Sequence, residues 1–189
     1  MAGGAAGAPD VGGTGGEQGG AGGGAGTGPT YDGPSPTCSR SGTYEQLWTF
    51  DANVENWSAS DATLSWSSSV GYSNAGALGV SADLSGGVLS YIASTGGGLG
   101  DLSGLMATAH VLLESGTNVA AKLYVRDMSY EWADGGRVAL PSGEWVCLSV
   151  NVSDPAYWDG VFDATQVRDV GIELQADGAV TVWIDDVGY

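Results

Sequence analysis

From about residue 44 onward, apolar and polar positions alternate in short runs, and a helical period is absent almost everywhere. The alternation predicts nine strands: Gln46–Phe50, Thr63–Ser67, Ala77–Ala82, Val88–Ser94, Gly104–Leu113, Asn118–Met128, Trp145–Val152, Asp169–Gln175 and Ala179–Val187. Turn formers separate them, among them Ser85-Gly86-Gly87, Gly96-Gly97-Gly98 and Asp177-Gly178, the last a two-residue hairpin signal. One helical turn is expected at Ala164–Val167 behind an Asp163 cap. Many short strands with long crossovers predict an all-β fold, an antiparallel β-sandwich of jelly-roll type.

Successive side chains on a strand point to opposite faces, so the same pattern sorts core from surface. Val119, Ala121, Leu123 and Val125 are assigned inward, which turns Lys122, Tyr124 and Arg126 outward as one polar and aromatic row. Ala107, Ala109, Val111 and Leu113 point inward, leaving Thr108 and His110 outward. Val146, Leu148 and Val150, Val170, Ile172 and Leu174, and Val180, Val182 and Ile184 complete the expected core. Glu173, Gln175 and Trp183 fall on outer faces.

Composition divides the chain. Residues 1–37 hold 15 of the 34 glycines, no basic residue and one aromatic. Such a segment lacks the apolar area to offset the entropy of ordering, so a disordered Gly-rich tail acting as a flexible linker is expected there. The β-sandwich is expected at 38–189. A net charge of −17, with Arg40, Lys122, Arg126, Arg137 and Arg168 forming no basic run, argues against nucleic acid as a partner and disfavours an anionic membrane surface. No apolar stretch is long enough to insert in a bilayer. One histidine and two cysteines are few for acid–base, thiol or zinc chemistry, whereas 7 Trp and 8 Tyr favour binding. Two cysteines in an acidic, linker-bearing chain point to an extracellular protein with a Cys38–Cys147 disulfide that pins the linker to the sandwich; two unpaired thiols are the alternative. Met1 lacks the basic and apolar residues of a signal peptide, which suits either an added start or a sequence cut from a longer precursor.

The segments LWTFDANVENWSASD, GYSNAGALGVSADLSG, DPAYWDGVFDATQVRDVGIELQ and AVTVWIDDVGY, in this order over about 44–189, resemble the galactose-binding-like jelly-roll carbohydrate-binding modules of bacterial glycan-degrading enzymes, including modules for β-mannan and β-glucan. The resemblance implies a β-sandwich without catalytic activity. It also implies a structural calcium ion near the paired chain ends, and sugar bound on a sheet face or at loop tips. The ligand residues of such modules vary, so none is carried over. For calcium, Asp51 and Asp186 are the candidate carboxylates, brought together if the first and last strands lie side by side.

A pyranose offers an apolar C–H face to a flat aromatic ring and a rim of hydroxyls to polar side chains. The expected site is the row Lys122, Tyr124 and Arg126, joined by Tyr130, Trp132, His110, Glu173 and Gln175. Trp158 is a further exposed ring, while Trp48, Trp57 and Trp66 are assigned to packing. Catalysis is disfavoured: His110 has no acid in its sequence context, and Glu131, Asp134, Glu144 and Glu173 show no environment that marks an acid–base pair. The sequence therefore predicts a non-enzymatic, secreted or cell-surface bacterial module. It is expected to be a monomer and to bind a polysaccharide, a β-linked glucan or mannan, while tethered to a glycan-active enzyme or a cell surface. The competing expectation is a structural or adhesive surface protein that assembles through its sandwich.

Overall fold

The computed structural model describes Cys38, residues 44–73 and residues 75–189. The tail expected at 1–37 lies outside the described residues. Thirteen strands appear in chain order: β1 (Gln46–Trp48), β2 (Trp57–Ala59), β3 (Ala62–Ser67), β4 (Ala77–Asp83), β5 (Ser90–Ser94), β6 (Met106–Ser115), β7 (Ala120–Asp127), β8 (Trp132–Asp134), β9 (Val138–Ala139), β10 (Trp145–Asn151), β11 (Tyr157–Trp158), β12 (Val167–Gln175) and β13 (Ala179–Gly188). They form two antiparallel sheets. The first has the order β10-β6-β13-β4-β3, with β1 also on β13; the second has the order β11-β8-β7-β12-β5-β2, with β9 also on β7. Each of the nine predicted strands is present, shifted by a few residues at its ends.

The inward sets pack as predicted. Ala107, Ala109, Val111, Leu123, Val125, Leu148, Val150, Ile172, Leu174, Val182 and Ile184 are all buried between the sheets. Phe50 is fully buried near the start of the sandwich, and Trp57 meets both Trp48 and Phe50 edge-on at 5.6 Å. Trp66 lies on the edge strand β3, 39% exposed, and its indole N–H donates to the Phe50 carbonyl. The predicted helical turn is a 3-10 turn at Ala164–Gln166, and the Asp163 carboxylate accepts from Thr165 N as its cap.

The first and last strands do lie side by side. Gln46 pairs with Gly188 and Trp48 with Val187, and Glu45 and Tyr189 exchange both backbone hydrogen bonds. Cys38 and Cys147 form a disulfide with their Cα atoms 5.7 Å apart, fixing Cys38 to strand β10.

Candidate functional site

The outer face of the second sheet gathers most of the expected residues. On β7, Ala121, Leu123 and Val125 enter the core, so Lys122, Tyr124 and Arg126 turn outward. Antiparallel register sets their neighbours: on β12, Glu173 lies opposite Lys122, Gly171 opposite Tyr124 and Asp169 opposite Arg126. On the other side, β8 places Asp134 opposite Tyr124 and Trp132 opposite Arg126. One strand further out, β5 places Tyr91 opposite Glu173. Gln175 ends the β12 row, opposite Ala120.

The row is not the open shelf that the sequence suggests. Tyr124 is only 2% exposed, and its ring lies across Gly171, where any Cβ would collide with it. Tyr91 and Trp132 flank it edge-on, each at 6.3 Å between ring centres. Burial pushes the Tyr124 phenol well above its ordinary value. Tyr124 is thus a floor, and the rings that reach solvent are its neighbours: Tyr91 (41% exposed), Tyr130 (58%) and the partly buried Trp132.

Beneath the rings runs a charge network. Lys122 Nζ lies 2.9 Å from Asp134 Oδ2 and 3.5 Å from Glu173 Oε2, with Nζ also 3.9 Å from the centre of the Trp132 ring. The Arg137 guanidinium, from the loop between β8 and β9, contacts the other Glu173 oxygen. Lys122, Asp134 and Glu173 are all buried. A buried charge without a partner is expensive, and here each has one. At the rim, Arg126 grips Asp169 with two bonds of 2.8 and 3.0 Å; this contact raises the already high Arg126 pKa. Arg168 approaches the same carboxylate only to 3.6 Å and instead lies 4.1 Å over the Tyr130 ring. Desolvation, with Glu173 nearby, also raises the Tyr91 phenol.

His110 belongs elsewhere. It does turn outward on β6 as expected, but β6 is in the first sheet, so the ring sits across the sandwich from the row. It is 3% exposed, stacked on Tyr72 at 3.6 Å, with Nδ1 3.1 Å from Asp186 Oδ2 and Nε2 3.6 Å from Cys38 Sγ. The two carboxylates expected to hold calcium have different surroundings. Asp186 faces His110 and the Tyr44 hydroxyl, while Asp51 is exposed. The adjacent Asp185 is filled by backbone donors from Tyr72, Ser73 and Asp186, and burial raises its pKa. Among the described residues, the ligand-type groups that converge in threes are Cys38, His110 and Cys147, and those two sulfurs are bonded to each other.

Trp158 stands apart from the row as well. It pairs with Ala133 from the edge strand β11 and, 64% exposed, borders an open groove of about 320 Å³ with Asp154, Pro155 and Phe162. Residues that the sequence reading missed are Tyr91, Arg137, Asp169 and Arg168. Alternation with Val170, Ile172 and Leu174 could have placed Asp169 on the Glu173 face. Arg137 carries no such signal, because its place depends on the path of a loop.

Among solved structures, the fold is similar to a protein described in a study of promiscuous specificity in carbohydrate-binding modules of the β-sandwich superfamily (16% identity, 75% of this chain and 60% of that one, TM-score 0.59). It is also similar to the family 11 carbohydrate-binding module of the cellulosomal cellulase Lic26A-Cel5E of Clostridium thermocellum (14% identity, 77% and 93% covered, TM-score 0.55). A third likeness is to the CBM22-2 xylan-binding domain of Paenibacillus barcinonensis Xyn10C (16% identity, 76% and 96% covered, TM-score 0.51). The chain spans about three fifths of the length of the first of these. No curated protein sequence matches it. Residues 48–186 match the model of the family described as mannanase, galactose-binding domain-like, and the chain belongs to that family.

Proposed function

We propose that this domain is a non-catalytic module that binds a β-linked polysaccharide, a glucan or mannan, on the outer face of its second sheet. The observation that carries this reading is the ring of accessible aromatics, Tyr91, Trp132 and Tyr130, set around a floor held in place by Tyr124 and by the ion pairs of Lys122 beside it. Flat rings take the C–H faces of the sugars, and Arg126 with the rim polar groups takes their hydroxyls. Little ordering is left for binding, because the floor is already packed. Glu173 and Asp134 are committed to Lys122 and Arg137, which suits a scaffold role rather than acid–base work. Family membership and the sandwich fold support the reading.

The module is read as a secreted or cell-surface monomer, tethered to a glycan-active enzyme or a cell surface through the glycine-rich segment. Among the described residues no helix is long and apolar enough to cross a membrane. Affinity is expected at about 10–100 µM, or roughly −5 to −7 kcal/mol, raised in effect by tethering. Affinity electrophoresis against mannan, β-glucan, xylan and cellulose, paired with tryptophan-fluorescence titration of wild type and Trp132→Ala, tests the proposal. Retardation by mannan or glucan that Trp132→Ala weakens about tenfold or more supports it; no retardation by any of the four removes it.

A further inference from the structure

The chain carries 22 acidic and 5 basic residues, yet its cations are not spread to balance them. All four within the described residues, Lys122, Arg126, Arg137 and Arg168, stand on the outer face of the second sheet or at its rim. They meet three carboxylates there, Asp134, Glu173 and Asp169. Lys122 and Arg137 are matched by Asp134 and Glu173 in the buried part of the network. At the rim two guanidiniums share one carboxylate, and the sharing is unequal. Arg126 occupies both Asp169 oxygens, while the nearest Arg168 nitrogen stays 3.6 Å away. Arg168 is about a third exposed in its side chain and spread over the exposed Tyr130 ring. Of the four cations on this face, Arg168 is thus the most loosely held, its guanidinium lying beside a sugar-sized ring.

We propose that the rim formed by Arg168, Arg126 and Tyr130 takes the carboxylate of a uronic acid, so that the preferred ligand is a β-glycan carrying sparse acidic sugars. The inference rests on the glycan-binding reading of this face. A guanidinium recognises a carboxylate through two parallel N–H···O bonds, a geometry that a neutral hydroxyl cannot match. Stacking on Tyr130 holds Arg168 in its plane and lowers the ordering required on binding. Only one guanidinium is loosely held, so isolated carboxylates suit the site, and a polymer charged at every sugar is opposed by the −17 of the chain. At physiological salt that long-range repulsion is screened beyond about 8 Å, leaving the rim contact to decide.

The test uses one backbone in three forms: soluble glucomannan or β-glucan, the same polymer with a few primary hydroxyls oxidised to carboxylates, and that product reduced back to alcohols. Calorimetric titration of the intact chain is expected to show the oxidised form binding about tenfold tighter than the other two, a gap that shrinks between about 0.02 and 0.5 M NaCl. Arg168→Gln is expected to bring the ratio of oxidised to unoxidised affinity close to one, with circular dichroism and the melting temperature confirming the fold. Equal affinity for all three forms overturns the uronate inference and leaves the glycan reading standing; a ratio that survives Arg168→Gln also overturns it. Binding of none of the three overturns both.

Discussion

Gly171 sets the height of the aromatic floor. The Tyr124 ring rests directly on it, and a methyl there would meet both that ring and the Ile92 carbonyl. Gly171→Ala is expected to cost about 1–3 kcal/mol in denaturant unfolding, and to weaken glycan binding by tilting Tyr124 into Tyr91 and Trp132. Lys122 is the second such position. Its ammonium lies between two buried carboxylates, so Lys122→Ala leaves Asp134 without its cation and Glu173 with Arg137 alone, and is expected to destabilise by about 3–5 kcal/mol in the same measurement. Asp163 acts at the surface and through pH. Its carboxylate accepts from the Thr165 hydroxyl and backbone N–H and from the Gln166 amide, which holds its pKa below the ordinary value. A depressed carboxylate contributes stability above its unfolded pKa and loses it as pH falls through the folded one. Asp163→Ala is therefore expected to melt below wild type at pH 7, and the difference should narrow on acidification.

At the scale of elements, the long strands were legible because a buried face repeats every second residue over six or more positions. Strands β2, β8, β9 and β11 were not, since two or three residues cannot establish a period and exist as strands only through their neighbours. The same limit governed the site. Alternation along β7 correctly separated Lys122, Tyr124 and Arg126 from the core, but a period says which face a residue takes and nothing of what lies above it. Here the cover is Trp132 from β8 and Arg137 from the following loop. His110 shows the matching limit across the molecule: outward was right, and the sheet was set by the pairing of β6 with β10 and β13. The Cys38–Cys147 link was legible from composition. It closes 109 residues of sequence, and on a chain-entropy account its reduction is expected to lower stability by about 4–5 kcal/mol, read as a shift in denaturation midpoint with and without a thiol reductant.

For the whole molecule, the first sheet carries the paired strands β1 and β13, the disulfide and the His110–Asp186 contact, while the second carries the aromatic face. We propose calcium at Asp51 and Asp186, and a chelator tests it: a melting temperature lowered by the chelator and restored by added calcium supports the site, and an unchanged one removes it. The hydrogen-bonded pair Glu45 and Tyr189 has a practical result. Whatever is joined on either side of the sandwich, a reporter, a surface anchor or a second protein, is delivered to the back of the molecule. An immobilised layer attached through either flank would present the aromatic face to the medium.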